Sequence, residues 1–77
     1  MKELLYTIVA ELVDDPSAIE ITEDTDEKGT HVLHLHVAEE DMGRVIGKQG
    51  RIAKAVRTLI RAGAINKGME SVTVEIG

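Results

Sequence analysis

The sequence contains no cysteine, phenylalanine or tryptophan, and it has one proline and one tyrosine. The absence of cysteine excludes disulfide bonds and thiolate metal sites, which favours a reducing compartment, the cytoplasm. The near absence of aromatics argues against modules that stack nucleic-acid bases on aromatic platforms. We find no basic and apolar leader and no apolar run of about 18 residues, so we expect neither secretion nor a membrane partner.

The formal net charge of −5 argues at first against nucleic acid as a ligand, but the charge is unevenly distributed. Residues 1–43 contain two lysines and twelve acids, whereas residues 44–61 contain six basic residues and no acid. The basic residues are Arg44, Lys48, Arg51, Lys54, Arg57 and Arg61. A partner within a Debye length, about 8 Å at physiological salt, would meet this segment and not the average. A solvated helix face is the plainer explanation, although surfaces that serve solubility alone usually mix both signs.

The spacing of apolar residues predicts six elements in one domain that spans residues 1–77. They are a helix over 2–14, strands over 19–23 and 30–37, helices over 39–46 and 51–64, and a strand over 71–76. In the third helix, we expect Ile52, Val56, Leu59 and Ile60 to face the core, opposite the basic residues.

The predicted order α-β-β-α-α-β indicates an α+β fold. Each strand has one mainly apolar face, so we expect three helices on one face of a three-stranded mixed sheet. The first two strands should form a hairpin, and the last should run parallel to the second because a helical crossover precedes it. A chain this short is unlike an enzyme with a large internal pocket.

A glycine-containing loop separates the second and third predicted helices. Gly47 and Gly50 allow positive φ, and the loop opens directly into a helix whose first N–H groups lack partners. Lys48 lies between the glycines, and Arg44 and Arg51 flank them. Amide donors combined with positive charge suit a phosphodiester backbone. A tight turn between two helices is the alternative explanation for the glycines alone.

The segment Met42–Ile52, with two apolar residues before GxxG, resembles the KH family, and the element order resembles its bacterial, type II arrangement. The likeness covers nearly the whole chain and is greatest to the small bacterial single-KH proteins. It implies binding of single-stranded RNA, about four nucleotides per domain, without an aromatic platform. It thus implies a post-transcriptional regulator or RNA chaperone.

The resemblance also implies the site residues. Gly47, Lys48, Gln49 and Gly50 would contact the sugar–phosphate chain. Gly43, Arg44, Val45 and Ile52 would border the groove for the bases. Arg51, Lys54 and the more distal Arg57 and Arg61 would add phosphate contacts or long-range attraction.

Two other possibilities follow from the sequence. His34 and His36 lie on one strand face with His31 nearby, but exposed histidines explain them better than a metal site, since softer ligands are missing. No nucleophile elbow, P-loop or dinucleotide motif is present, so we expect no enzyme and no cofactor.

The alternative function is a protein-interaction adaptor. The KH resemblance implies self-association as a homodimer and pairing with a larger KH-containing protein of the Jag family. Ile65 and Met69, near the end of the third predicted helix, are candidates for an interface. RNA binding does not by itself explain why the first half of the chain is acidic. These acids could repel RNA elsewhere and so restrict it to one path.

Overall fold

A computed structural model of the protein describes residues 1–68 and 71–77. The helices are α1 (Lys2–Ala10), α2 (Met42–Ile46) and α3 (Arg51–Asn66), and the strands are β1 (Glu20–Thr25), β2 (His31–His36) and β3 (Val72–Ile76). Short 3-10 turns occupy Pro16–Ala18, Glu39–Asp41 and Lys48–Gly50. The predicted order of helices and strands is therefore confirmed.

The sheet has the order β1-β2-β3. β1 and β2 form an antiparallel hairpin, and β3 runs parallel to β2, as the sequence predicted. One face of the sheet supplies Leu33, Leu35 and Val74 to the core. The helices pack on this face, because their apolar residues are buried in the same core as those of the sheet. The opposite face carries mainly polar side chains, and most of them are exposed.

The core joins one stripe of each long helix to the sheet. From α1 it takes Leu5 and Val9, and from α3 it takes Val56 and Ile60, all at most 2% exposed. The prediction that Leu59 faces the core was wrong, because this residue is 53% exposed. The face of α3 that meets the sheet follows Ala53, Val56, Ile60 and Ala64 instead.

Two predicted helices differ in their ends. α1 ends at Ala10 and not at residue 14, and the N–H groups of Leu12 and Val13 both bond to the Val9 carbonyl in a final turn. The predicted helix over 39–46 begins with the 3-10 turn Glu39–Asp41 before α2 proper. No helix in the described part of the chain has the length and apolar character needed to cross a membrane.

Candidate nucleic-acid interface

The loop between α2 and α3 has an unusual backbone. Three of its four residues have positive φ: 74° at Gly47, 56° at Gln49 and 74° at Gly50. Gly47, with ψ of 174°, lies in a region that only glycine adopts readily. The positive φ of Gln49 costs conformational energy, because this residue has a Cβ atom and glycine does not. Strained backbone of this kind is typical of functional loops.

Gly47 also permits a close approach of the two helices. A Cβ atom built there would overlap the side chain of Ile52 and lie 2.9 Å from its backbone nitrogen. At Gly50 a Cβ would meet open space, so its positive φ is the only constraint. The first glycine of the GxxG pattern is thus required by packing and conformation, and the second by conformation alone.

The loop leaves backbone donors unpaired at the start of α3. The N–H of Gly47 bonds to the Gly43 carbonyl at 2.9 Å, and the N–H of Gly50 bonds to the Gly47 carbonyl at 3.2 Å. Within residues 1–68 and 71–77, the N–H groups of Lys48 and Gln49 have no hydrogen-bond acceptor. Two free donors beside the positive end of a sixteen-residue helix form a favourable position for an anion.

The cations around the loop fall into two groups. The side chains of Lys48, Arg51 and Lys54 are exposed, and no carboxylate of the described residues pairs with them. Arg44 is different, since its Nη2 lies 3.0 Å from an oxygen of Asp14 and its Nε lies 3.4 Å from an oxygen of Asp41. Arg44 therefore has acidic partners, whereas Lys48, Arg51 and Lys54 have none among the described residues.

Asp41 is the polar anchor beneath Arg44. Its side chain is buried, and its two carboxylate oxygens accept hydrogen bonds from the backbone N–H groups of Asp14 and Asp15, each at 3.1 Å. These bonds fasten the segment after α1 to the start of α2. They also give the amides that follow α1 an acceptor outside a helix, which explains why α1 stops early. In the sequence, Asp41 is indistinguishable from the neighbouring acids Glu39 and Glu40.

One edge of the sheet lies next to α3. β3 is an edge strand beside α3, and the Nε of Arg57 donates a hydrogen bond to the Val74 carbonyl at 3.2 Å. Within the described residues β3 pairs with β2 alone, so alternate backbone groups of β3 point away from the sheet. Arg57, more distal from the loop than Lys54, thus reaches the edge strand itself.

The apolar residues near the loop require a correction. Val45 was expected to border the bases, but it is completely buried, so it supports α2 from within the core and offers no surface. Its neighbour Ile46 is 38% exposed and was absent from the predicted site. Ile52 is half-buried and Gly43 is exposed, so both remain available at the surface.

The histidines take part in local polar contacts on the sheet. His34 lies between two carboxylates, with Nε2 3.5 Å from Asp24 and Nδ1 3.2 Å from Glu75. His36 Nδ1 is 2.8 Å from the Gly77 carbonyl. In the part of the chain that the structure describes, no three potential ligands converge on one point that could hold a metal.

Comparison with known proteins identifies the family. A family model described as "KhpA/KhpB, KH domain" matches residues 2–76. The chain belongs to this family. The predicted resemblance to KH proteins, and to the small bacterial members among them, is confirmed.

Individual relatives match along most or all of the chain. It is 54% identical over 76 residues to the RNA-binding protein KhpA of Clostridium acetobutylicum, covering 99% of each chain. It is 59% identical over 63 residues to the RNA-binding protein KhpA of Listeria monocytogenes, covering 80% of each. The fold is similar to part of Aquifex aeolicus Era bound to GDP and AlF4−, with a TM-score of 0.66 and 19% identity over 96% of this chain and 28% of that one. At this identity the likeness concerns the fold alone.

Proposed function

We propose that the protein binds short single-stranded RNA in the cytoplasm through the Gly47–Gly50 loop and the first half of α3. The observation that carries the proposal is a pair of N–H groups, at Lys48 and Gln49, that lie beside exposed cations. Within residues 1–68 and 71–77, these N–H groups have no acceptor and the cations have no acid partner. The relatives' name, RNA-binding protein KhpA, supports the same ligand. No cofactor, metal or catalytic group is required.

We assign different roles to the residues of the site. The N–H groups of Lys48 and Gln49 would bind phosphate oxygens, and the side chains of Lys48, Arg51 and Lys54 would provide the attraction along the backbone. Gly47 and Gly50 would hold the loop open for this contact. Arg44 would act through Asp41 and Asp14, by fixing α2 in place, and would contact RNA little.

The bases would lie between this loop and the edge of β3. Gly43, Ile46 and Ile52 would provide apolar contact, and Arg57 with the outward backbone groups of β3 would provide hydrogen bonds. The chain's only aromatic, Tyr6, is on α1 and lines a separate groove, so stacking on it plays no part. A site of about four nucleotides per domain implies weak binding of one chain, suited to a post-transcriptional regulator or RNA chaperone.

A charge substitution in the loop tests the proposal. Lys48→Asp with Gln49→Asp should abolish binding of a labelled single-stranded RNA in filter or gel-shift titrations, because repulsion replaces attraction at the phosphate. The matched control, Thr25→Asp with Lys28→Asp, makes the same change in charge at the β1–β2 turn and should bind almost normally. Binding retained by the loop variant would overturn the proposal.

The salt dependence gives a second measurement on the unmodified protein. Three or four phosphate contacts to a single strand predict that log K falls against log salt with a slope of about −2 to −3. A slope near zero would show that the free cations of α3 do not contact phosphate.

A second candidate function is a protein-interaction adaptor, favoured by the apolar residues that α3 leaves in water. Leu59 is 53% exposed and Ile65 is 68% exposed, and neither contributes to the core. We propose this surface for a homodimer or for a larger KH-containing protein of the Jag family. Met69, the other interface residue proposed from the sequence, lies outside the described residues.

Substitutions on the two surfaces distinguish RNA binding from the adaptor function. Ile65→Asp should lower the molar mass measured by light scattering or remove partner capture, while RNA binding per chain changes little. Leu59 lines one groove with Arg51 and Lys54, so Leu59→Asp would act on both surfaces and does not separate them. The Lys48 and Gln49 double substitution should have the opposite pattern. If both kinds of variant lose RNA binding together, self-association is a condition for binding RNA.

A further inference from the structure

A second surface lies between α1 and β1, and the proposed RNA site does not use it. The residues that line this groove are Lys2, Glu3, Tyr6, Thr7, Ile19 and Ile21. Tyr6 is 46% exposed there, although it is the only aromatic residue of the chain. An exposed tyrosine beside two half-buried isoleucines is unusual for a surface without a partner, because such side chains dominate binding interfaces.

The groove borders a free strand edge. The N–H of Gly77 donates to the Leu35 carbonyl at 3.0 Å, so the backbone groups of Leu35 face β3. Leu35 is opposite Ile21 in the register, and Leu33 is opposite Glu23. The N–H and C=O groups of Ile21 and Glu23 therefore point away from the sheet. In the part of the chain that the structure describes, no hydrogen bond satisfies them.

The charged side chains of β1 and the start of the turn after it are all acidic. The acids of the segment 20–27 are Glu20, Glu23, Asp24, Asp26 and Glu27, and the segment contains no lysine or arginine. Two such edges would repel each other, so a second copy of this strand is a poor occupant. Lys2 is the one cation that lines the groove. An extended segment with basic side chains would complement both the free backbone groups and the acids.

We propose that the free edge of β1 binds an extended, basic segment of a protein partner by strand addition. The added strand would place alternate side chains on opposite faces. On the helix side, apolar side chains would contact Tyr6 and Ile21 in the groove. On the open side, lysine or arginine would lie near Glu20 and Asp24. The acidic first half, which RNA binding leaves unexplained, then has a ligand of its own.

The test uses the full chain and a synthetic probe. A fluorescein-labelled heptapeptide in which valine alternates with lysine should bind, as measured by anisotropy, and should slow hydrogen exchange of the Ile21 and Glu23 amides. A heptapeptide in which glutamate replaces lysine should not bind. Absence of binding by the lysine peptide, or equal binding of both peptides, would overturn the proposal.

Two variants examine the backbone and the groove separately. Glu23→Pro removes the outward N–H without removing a donor to β2 and should weaken binding about five- to tenfold more than Glu23→Gln, which removes only the charge. Tyr6→Ala, at an exposed helix position, should weaken it by about tenfold while the amide spectrum elsewhere is preserved. Unchanged binding by both Glu23→Pro and Tyr6→Ala would contradict the assignment.

The loop variant distinguishes this surface from the RNA site. Lys48→Asp with Gln49→Asp should leave peptide binding unchanged, so the two proposals can fail independently. Peptide binding that disappears in this variant would place the peptide at the loop and overturn the inference. Perturbation of the Ile21 and Glu23 amides by a single-stranded oligonucleotide, and not by the peptide, would assign the edge to RNA instead.

Discussion

The Nε of Arg57 donates a hydrogen bond to the main-chain carbonyl of Val74, 3.2 Å away, across the junction between α3 and the edge of the sheet. A cation of the basic helix therefore also holds the edge strand in place. The carbonyl it binds would otherwise face solvent or ligand, because in the described part of the chain β3 has only β2 as a strand neighbour. This single contact links the stability of the sheet edge to the groove that we propose for RNA.

Replacement of Arg57 by methionine should remove this bond and keep the aliphatic packing. We expect the free energy of unfolding to fall by about 0.5–1.5 kcal/mol, the usual net contribution of one hydrogen bond. Urea denaturation measures the loss. Arg61→Met, which removes an exposed cation of the same helix, is the matched control and should change stability by less than about 0.5 kcal/mol. Equal effects of the two variants would show that the Val74 contact contributes nothing specific.

Asp41→Ala should be among the more destabilising polar substitutions in the protein. It leaves the part-buried N–H groups of Asp14 and Asp15 without an acceptor and removes one of the two acids facing Arg44. We expect a loss of about 1–3 kcal/mol in denaturant titrations. Asp41→Asn retains one oxygen and should lose less, and Glu40→Ala, at an exposed neighbour, should be nearly neutral. A neutral Asp41→Ala would mean that water replaces the carboxylate at no cost.

The two loop glycines should respond differently to alanine. Gly50→Ala meets only the penalty of a left-handed residue, about 1–2 kcal/mol. Gly47→Ala adds an overlap with Ile52 and should destabilise more, with a displaced start of α3 and weaker RNA binding. Thermal unfolding and RNA titration of both variants test the order. The reverse order would refute the close approach between Gly47 and Ile52.

Gly63, within α3, offers a test of helix packing. A Cβ there would lie 2.6 Å from Leu4 Cδ2 and 3.2 Å from Met1 Cε, both ends of flexible side chains. Alanine also favours the helix by about 1 kcal/mol over glycine, so Gly63→Ala alone should be close to neutral. In a Leu4→Ala background the clash disappears, and the same change should stabilise by about 1 kcal/mol. Additivity of the two substitutions would contradict contact between them.

The sequence predicted the parts of the fold that depend on periodic patterns. The alternation of apolar and polar residues predicted the hairpin and the last strand. The GxxG pattern before a basic helix predicted the loop. The sequence-based prediction was wrong where tertiary contacts determine which side chains are buried. Leu59 fits the apolar arc of α3 by spacing, yet the sheet covers the line through Ala53 and Ile60 and leaves Leu59 in water.

The same limit applies to the site. Nothing in the sequence distinguishes Asp41 from the acids before it, because its partners Asp14 and Asp15 are more than twenty residues away. Nor does the sequence reveal that Arg44 contacts Asp14 and Asp41. Val45 and Ile46 are equivalent in a pattern of two apolar residues, and only the packing of α2 buries one and exposes the other.

The open face of the sheet has a practical consequence. Thr22 is exposed on that face, away from the core, and the chain has no cysteine. A cysteine introduced at Thr22 would therefore be the sole thiol of the protein. One fluorophore could be attached there without competing labels, and single-molecule or energy-transfer experiments could then follow the binding of labelled ligands at the loop.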